Sequence, residues 1–323
     1  MKGQNLENFP ERPGIIFMGT PDFSVPALKA LLSHGHNVLA VVTQPDRPKG
    51  RGRRLIPPPV KRVAVEFGLE VLQPEKASDQ RFCEVINGKG PDVLIVVAFG
   101  QILKDNLLGI PGWGAVNIHA SLLPRYRGAA PIQRAILNDE TVTGLTSMRL
   151  DEGMDTGPIL LQEEIPINRD ETAGQLHDRL AEHSGPFLLK TLHEMAENRL
   201  TERKQDNAGA TYAPKLDRSM SEVRWDQPAR AVSAQIRALD PWPGAYTLVG
   251  GKTIRLFSSG VENVDRTDVQ PGRVVGHSED ALHVETGEGI VLIRELQTPG
   301  KSRLGAGDFL RGFSLDRGTL LGR

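Results

Sequence analysis

Short apolar runs alternate with helical patterns over residues 14–166. Buried strands are predicted at GIIFM (Gly14–Met18), NVLAVVT (Asn37–Thr43), GLEVLQ (Gly68–Gln73) and DVLIVVA (Asp92–Ala98). Helices are predicted between them, one from Ser24 as its capping residue to about Ser33 and one near Val60–Phe67. Because strands alternate with helices, the pattern favours a parallel, doubly wound sheet of the α/β class.

The pattern changes in the middle of the chain. GLTSMRL (Gly144–Leu150) and PILLQEEIPI (Pro158–Ile167) are strand patterns with no helix-length interval between them, so the sheet is expected to end in antiparallel strands. A long amphipathic pattern then predicts a helix from about Thr172 to Asn198. ERKQDNAGATYAP (Glu202–Pro214) is polar and poor in large apolar residues, which is typical of a linker.

Beyond this segment the predicted elements are short and mostly β. Gly250 and Gly251 separate two alternating runs, which is a hairpin signal, and ALHVETGEGIVLIREL has the pattern of another hairpin. A helix is predicted near Pro228–Ala238. Several short strands in about 110 residues indicate a small barrel or sandwich. The predicted organisation is an α/β domain at 1–201, a linker at 202–214 and a β domain at 215–323.

The composition is that of an ordinary globular protein. The 323 residues include 39% hydrophobic and 24% charged side chains, and the formal net charge is -1. This balance argues against a protein that coats nucleic acid through a broad cationic surface. Cys83 is the only cysteine, which excludes an internal disulfide and a cysteine-based zinc or iron–sulfur site. The sequence has no secretory, transit or membrane-spanning pattern, so we expect a cytoplasmic protein.

AVNIHASLLPRYRGAAP (Ala115–Pro131) is the segment that points most directly to chemistry. AVNIH alternates as a strand does, which places Asn117 and His119 on the same face. At the carboxyl end of a parallel strand they would face the crevice where open α/β sheets bind ligands. An amide donor beside an imidazole is suited to stabilise an oxyanion and to move protons. The alternative is that His119 is structural, as we expect the other seven histidines to be.

Two further observations limit the choice of chemistry. MGTPDFS, at the end of the first strand, holds only Gly19 as a glycine, so neither a dinucleotide fingerprint nor a P-loop is expected. LDEGMDTG (Leu150–Gly157) joins two predicted strands and is either an Asx-type turn or the source of a carboxylate for His119. By pattern alone, Asp151 and Asp155 are both candidates for that carboxylate.

TQPDRPKGRGRRLIPPPVKR (Thr43–Arg62) concentrates positive charge in a nearly neutral chain. Its only acid is Asp46, and its cations are Arg47, Lys49, Arg51, Arg53, Arg54, Lys61 and Arg62. This basic segment is either a solvated, Pro- and Gly-rich linker or a local site for a highly negative ligand. Lys61 and Arg62 also fit the start of the helix that follows.

NIHASLLPRYRG, followed further along the chain by DEGMDTG, resembles the formyltetrahydrofolate-dependent formyltransferase family. The resemblance extends over nearly the whole chain and includes FMGTPDFS, the basic segment and ALDPWPGAY (Ala238–Tyr246). It implies a Rossmann-like catalytic domain with a mostly parallel sheet, followed by a small β-barrel of the OB type. It also implies transfer of a formyl group from N10-formyltetrahydrofolate to an amine.

The resemblance further implies roles for single residues. Asn117 and protonated His119 are expected to stabilise the oxyanion, and Asp155, rather than Asp151, is expected to orient His119 and help to move the proton. The folate-binding residues that it implies are Ser121, Leu122, Leu123, Pro124, Phe99 and Gly100. The family's reaction implies neither a metal ion nor a covalent enzyme intermediate.

The basic segment favours the branch of the family that acts on tRNA, since a small acceptor has no use for so many cations. The resemblance implies that the acceptor is the α-amino group of initiator methionyl-tRNA, and that the C-terminal barrel contacts the tRNA. The tRNA-binding residues then expected are Arg47, Lys49, Arg51, Arg53 and Arg54, with Arg51 acting as a wedge. A monomer without membrane association is expected. The alternatives are a formyltransferase for an amino-sugar nucleotide and a non-catalytic RNA-binding protein.

Overall fold

The computed structural model describes residues 9–49, 54–262 and 269–322. In space the chain forms two compact units, neither of them continuous in sequence. The first unit comprises residues 1–128, 144–165 and 177–212, and the second comprises 129–143, 166–176 and 213–323. The chain passes from the first unit to the second inside the predicted linker, after Tyr212. The domain bounds predicted from the sequence stay a prediction.

Strands and helices alternate over the first part of the chain, and strands predominate after it. The strands are β1 (Ile15–Gly19), β2 (Val38–Val42), β3 (Arg47–Lys49), β4 (Arg54–Ile56), β5 (Val71–Leu72), β6 (Val93–Val97), β7 (Ala115–His119), β8 (Val142–Arg149), β9 (Ile159–Pro166), β10 (Ala245–Val249), β11 (Lys252–Glu262), β12 (Val274–His277), β13 (Leu282–Glu285), β14 (Ile290–Gln297) and β15 (Leu304–Gly305). The α-helices are α1 (Val25–Ser33), α2 (Pro59–Glu66), α3 (Gln80–Gly88), α4 (Asp105–Leu108), α5 (Pro131–Leu137), α6 (Ala173–Ala196), α7 (Ala229–Ala238) and α8 (Ala306–Gly312). Single turns of 3-10 helix lie at Asp22–Ser24, Asn207–Gly209 and Arg218–Ser221.

The main sheet has the strand order β5-β2-β1-β6-β7-β8-β9. β1 pairs in parallel with β2 and β6, and β6 pairs in parallel with β7, whereas β7 and β8 are antiparallel. β9 also runs antiparallel to β8, since Arg149 N–H donates to Pro158 O at one end and Gly144 lies against Glu163 O toward the other. The prediction of a mostly parallel α/β sheet with an antiparallel end is confirmed.

Burial explains why the apolar runs form the centre of this sheet. Every residue of β1, β6 and β7 is buried, as expected for strands that are covered on both faces. In β7 the burial includes two polar side chains, Asn117 at 9% and His119 at 6% exposure. Burying polar groups in a central strand costs free energy unless they find partners. These two residues therefore call for an explanation other than packing.

Ser24 was predicted to cap the start of α1, and its position is confirmed but the capping hydrogen bond is not. Ser24 occupies the capping position, but its side chain makes no capping hydrogen bond. Its Oγ instead donates to the carbonyl oxygen of Val97, at the end of β6, over 2.6 Å. The hydroxyl is fully buried, so it satisfies a strand carbonyl rather than the helix N-terminus.

The second unit contains an antiparallel sheet with the order β10-β11-β14-β13-β12, and β15 adds to β14. Gly250 and Gly251 have φ values of 52° and 76° in the turn that joins β10 to β11. The pairing of β13 with β14 is also antiparallel, so both predicted hairpins are confirmed. α7 buries Val232 and Ile236 in the core of this sheet. The predicted change from α/β to short-stranded β architecture is confirmed.

Within the described residues, no helix is both long enough and apolar enough to cross a membrane.

Gly144 in β8 tests the close approach of β8 and β9. A Cβ atom there would overlap the backbone oxygen of Glu163 and lie 2.6 Å from Leu122 Cδ2. We expect Gly144→Ala to lower the free energy of unfolding by about 1–3 kcal/mol, as overpacked substitutions do. Urea unfolding measures this change. Gly88→Ala is the control, because nothing lies within 4 Å of a Cβ at that position. Equal losses in both variants would contradict the importance of this contact.

Candidate active site

The carboxyl ends of β6 and β7 lie side by side, with Val96 paired to Asn117. Because the two strands are parallel, the segments that follow them leave the sheet at the same edge. Phe99 and Gly100 follow β6, and residues 121–124 follow β7. The structure therefore brings the residues predicted for folate binding to the edge of the sheet where Asn117 and His119 lie.

The imidazole of His119 is held between a carbonyl group and a carboxylate. Its Nε2 lies 3.0 Å from the backbone oxygen of Tyr126, which can only accept, so Nε2 carries a proton. Its Nδ1 lies 3.7 Å from Asp155 Oδ2. This second distance allows an ion pair but is too long for a direct hydrogen bond. The ring is thus held through Nε2, whereas a water or a substrate atom can lie between Nδ1 and Asp155.

Asp155 is positioned by backbone groups. Its Oδ2 accepts from the N–H of Gly128 over 2.8 Å. Its own φ is 55°, in the left-handed region that non-glycine residues rarely occupy and that aspartate tolerates better than most. Backbone strain of this kind persists where surrounding contacts impose it, and it is frequent at functional sites.

Asp151 has a different task from Asp155. Its Oδ1 accepts from the N–H of Gly153 over 3.0 Å and from the hydroxyl of Thr156 over 2.7 Å. These contacts make the Asx-type turn that was one of the two interpretations of this loop. The two interpretations therefore apply to different aspartates, and the carboxylate that faces His119 is that of Asp155.

The side chain of Asn117 is buried but has no protein partner among the described residues. Its Cα pairs with that of Met148 in β8, beside the pairing of His119 with Thr146. Asn117 and His119 project from the same face of β7, as their two-residue spacing predicts. The amide donors of Asn117 are consequently available to a ligand at this edge.

Two side chains on the antiparallel strands hold the loop at residues 121–124. Thr146 Oγ1 donates to Ser121 O over 2.6 Å and accepts from the N–H of Leu123 over 3.2 Å. Gln162 Nε2 donates to Leu123 O over 2.9 Å, and its Oε1 accepts from Arg203 over 2.8 Å. The conformation of this loop is therefore set by β8 and β9 as well as by its own sequence.

The loop after β6 is anchored through the backbone oxygen of Phe99. This oxygen accepts from Thr20 Oγ1 over 2.8 Å and from Gln44 Nε2 over 3.3 Å. Gly100 has a φ of 89°, which favours glycine. The loops after β6 and β7 are thus held in place by hydrogen bonds from neighbouring strands and loops, and they contain the residues predicted to bind folate. Within the described residues, no group of three or more His, Cys, Asp or Glu side chains is arranged to hold a metal ion.

Four residues that support the site were not predicted from the sequence, namely Thr146, Gln162, Arg127 and Gln205. Their partners are 16 to 80 residues away along the chain, so no local spacing marks them. Gln205 lies in the segment predicted as a linker. Arg127 lies inside NIHASLLPRYRG, and this position in the motif is the one signal that could have identified it.

The basic segment contains a small hairpin. Arg47–Lys49 pairs with Arg54–Ile56 in antiparallel register. The side chain of Arg47 is exposed and lies 3.5 Å from Glu75, an exposed ion pair of little energetic weight. Lys49 and Arg54 lie opposite each other in the hairpin register. The predicted tRNA-binding residues Arg51 and Arg53 lie outside the described residues.

Asp46 and Lys61, which flank the hairpin, are paired with each other. Lys61 Nζ lies 2.9 and 2.8 Å from the two carboxylate oxygens of Asp46 and 2.7 Å from Gln73 Oε1. Gln73 Nε2 donates in turn to Asp46 and to the backbone oxygen of Gln44. Lys61 belongs to α2 and to this cluster, so it is not one of the solvated cations of the segment.

Comparison with known proteins shows the family to which the chain belongs. A family model described as formyl transferase matches residues 14–192, and one described as formyl transferase, C-terminal domain, matches residues 215–314. The chain belongs to the formyl transferase family. The family predicted from the sequence motifs is confirmed.

Two curated relatives match the chain over almost its whole length. A methionyl-tRNA formyltransferase from Citrifermentans bemidjiense is 46% identical over 309 residues, which cover 96% of each chain. A methionyl-tRNA formyltransferase from Moorella thermoacetica is 46% identical over 309 residues, which cover 95% of this chain and 99% of the relative. Both sequence likenesses therefore include the two matched regions of the formyl transferase family and the segment between them.

Solved structures that share the fold include a formyltransferase and a folate-bound protein. An N-formyltransferase from Helicobacter canadensis, crystallised with folinic acid and dTDP-3-aminofucose, has a TM-score of 0.64 and 19% identity, with 87% of this chain and 98% of that chain covered. HypX from Aquifex aeolicus, in complex with tetrahydrofolic acid, has a TM-score of 0.63 and 19% identity over 96% of this chain and 51% of that chain. At this identity the likeness concerns the fold alone.

The cluster at the base of the basic segment predicts a specific response to substitution. Hydrogen bonds from Gln73, and then from Lys61, hold the pKa of Asp46 below its ordinary value. We expect Gln73→Leu to raise that pKa toward the ordinary value, as followed by carboxyl 13C NMR titration. Because the folded pKa is lowered, the interaction stabilises the fold above the unfolded-state pKa and is lost as the pH falls through the folded pKa.

Asp217 provides the control in the same titration. A hydrogen bond from Ser219 N–H lowers the pKa of this carboxyl, and Gln73 takes no part in it. The pKa of Asp217 should therefore be the same in both proteins. An unchanged pKa of Asp46 in the variant would contradict the role assigned to Gln73.

Proposed function

We propose that the protein transfers the formyl group of N10-formyltetrahydrofolate to the α-amino group of methionine on aminoacylated initiator tRNA. The name of the curated relatives, which match nearly the whole chain, supports this acceptor. The predicted activity is thereby confirmed at the level of formyl transfer to methionyl-tRNA. Folates in the solved neighbours support the donor.

The observation that carries the chemistry is the grouping of Asn117, His119 and Asp155 at the carboxyl edge of the sheet. His119 is fixed through Nε2 and faces Asp155 through Nδ1, while the amide of Asn117 has no other partner among the described residues. Donors that are already in place when charge develops are the ones that lower a barrier most. We assign the three residues to one catalytic unit on this basis.

Asn117 and His119 stabilise the oxygen that becomes negative. The amine attacks the formyl carbon, and the carbonyl electrons move to the formyl oxygen. The donors for this oxygen are the amide of Asn117 and an N–H at His119 Nδ1. Because Nδ1 is 3.7 Å from Asp155, its proton is not engaged in a direct hydrogen bond there. Each such donor contributes about 2.7–4 kcal/mol of transition-state stabilisation.

Asp155 provides negative charge beside His119 and a base for the attacking amine. The new bond joins the amine nitrogen to the formyl carbon, and the bond from that carbon to N10 of the donor breaks. The proton that the amine loses passes to Asp155, directly or through one water, and then to the leaving nitrogen. The Gly128 N–H that holds Asp155 Oδ2 keeps the carboxylate in place during this exchange.

The basic segment contacts the acceptor tRNA, and the loops after β6 and β7 contact the folate. In the hairpin, Leu55 is 67% exposed and the side chain of Arg47 is exposed, so both are accessible to a large ligand. Cations of the basic segment neutralise phosphates near the aminoacyl end, and Arg51 acts as the wedge. The C-terminal unit supplies further contacts with the tRNA. The protein acts as a monomer in the cytoplasm.

The two aspartates of DEGMDTG give a matched pair of variants. We expect Asp155→Asn to lower kcat by about 100- to 10,000-fold, the range of a lost acid–base group. Asp151→Asn should retain most of the activity, because an asparagine Oδ1 can accept the same two hydrogen bonds that Asp151 accepts. The assay follows radiolabelled formyl transfer from the folate donor to methionyl initiator tRNA.

The same assay separates the proposed function from its alternatives. An amino-sugar nucleotide offered in place of the tRNA should remain unformylated. Formylation of the sugar and not of the tRNA would overturn the acceptor, and failure to bind the folate donor would support a non-catalytic RNA-binding protein. Wild-type kcat in Asp155→Asn would remove Asp155 from the catalytic unit.

Neutralising three arginines of the basic segment tests the role of that segment. We expect Arg51, Arg53 and Arg54, all changed to alanine, to raise the KM for tRNA and to reduce the log–log salt slope by up to about 2–3, since each lost phosphate contact removes about 0.7–0.9. The folate KM should not change. The control removes the same charge from helices α1, α3 and α6 of the same unit, through alanine at the exposed residues Lys29, Arg81 and Lys190. Equal loss in both triple variants would refute a local tRNA site.

A further inference from the structure

Arg127 is a buried cation whose described partners are neutral. Its side chain is 2% exposed, and it lies between two residues that touch the catalytic pair. Tyr126 accepts from His119, and Gly128 donates to Asp155. The guanidinium donates to Gln205 Oε1 through Nε and Nη2, at 3.1 and 2.8 Å, and to Asn207 Oδ1 at 3.0 Å. Burying an arginine is costly, so this one is expected to have a task.

Gln205 connects this cation to the loop that carries Asp155. Its Oε1 accepts both bonds from Arg127, and its Nε2 donates to Asp155 O over 2.9 Å and to Gly157 O over 2.7 Å. The side chain is 5% exposed. All its hydrogen-bonding capacity is therefore used. Exchanging the amide oxygen and nitrogen would place the NH2 group against the guanidinium and the oxygen against the two carbonyl groups.

The two carbonyl groups that Gln205 holds lie on either side of Thr156. Holding both fixes the turn in which Asp155 keeps its left-handed φ of 55°. A residue in that region adopts it because its surroundings over-determine it. The carboxylate of Asp155 is held separately by the N–H of Gly128, so backbone and side chain are clamped from two directions.

We propose that Gln205, itself held by Arg127, is a positioning residue that sets the carboxylate of Asp155 against His119. The backbone of Asp155 is fixed by Nε2 of Gln205, and Nε2 is aimed by the two bonds that Arg127 makes to Oε1. The reaction uses Gln205 only through Asp155. This inference rests on the proposed function, since it concerns the geometry of the same catalytic unit.

Gln205→Glu separates positioning from simple support of Arg127. Glutamate keeps an acceptor for the guanidinium but replaces the donor Nε2 by a second oxygen, which repels the carbonyl groups of Asp155 and Gly157. We expect kcat to fall about 100-fold, as displacements of about 1 Å at catalytic groups can cause, with the KM for the folate donor unchanged. Gln205→Ala should show a similar fall in kcat. The thermal midpoint should fall less in Gln205→Glu than in Gln205→Ala, because only the glutamate leaves Arg127 with an acceptor.

Gln162→Glu is the matched control. Gln162 has the same arrangement, with Oε1 accepting from Arg203 and Nε2 donating to Leu123 O, but it serves the predicted folate loop. This variant should raise the KM for the folate donor and affect kcat less. Recovery of wild-type kcat in Gln205→Glu, with kcat still low in Gln205→Ala, would overturn the proposal, because Gln205 would then serve only Arg127.

A second readout does not depend on formyl transfer. In 1H–15N spectra of the histidine rings, we expect Gln205→Glu to move the signals of His119 and leave the other seven histidines unchanged, whereas Gln162→Glu leaves His119 in place. Unmoved His119 signals in Gln205→Glu would overturn the positioning role. Absence of methionyl-tRNA formylation by the wild type would instead overturn the proposed function, and the ring spectra would still decide what Gln205 positions.

Discussion

The candidate site depends on the register of β7 between a parallel neighbour, β6, and an antiparallel one, β8. This register pairs His119 with Thr146, the residue that also holds the loop at 121–124. A slip of one residue would turn every side chain of β7 to the opposite face. Val116 and Ile118 would then replace Asn117 and His119 at the crevice. The buried apolar residues of the strand thus determine the site, because they make the alternative register unfavourable.

The site combines several features that are individually unfavourable. A left-handed aspartate, a buried arginine and two buried polar side chains in a central strand each cost free energy. They are maintained by close packing around the loop that carries Asp155, where a Cβ at Gly157 would overlap the carbonyl oxygen of Arg149. The fully apolar strands β1 and β6 supply the stability against which these features persist. Rigid positioning and local strain are consequently concentrated in one region of the first unit.

The strands and the residues of the candidate site could be predicted from the sequence, but the long-range contacts that support the site could not. Apolar runs reveal strands buried on both faces, and the period of two places Asn117 and His119 together, because both are properties of neighbouring residues. The choice of Asp155 over Asp151 needed the family resemblance, since both lie in one polar loop. Gln205 could not be found, because its partners are about 50 to 78 residues away and its surroundings have the composition of a linker. Ser24 was misread because a strand carbonyl competes with the helix end for its hydroxyl.

The ion pair between Asp46 and Lys61 closes the basic segment at its base. The two residues are 15 positions apart in the chain. Gln73, which directly follows β5, bonds to both of them and to the backbone oxygen of Gln44, just after β2. The chain therefore enters and leaves the segment at fixed points of the α/β fold. The residues between these points can therefore vary in length and sequence without disturbing the strands that form the crevice. Under the proposed function, a new acceptor preference therefore requires changes in this segment alone and leaves the catalytic residues of β7 as they are.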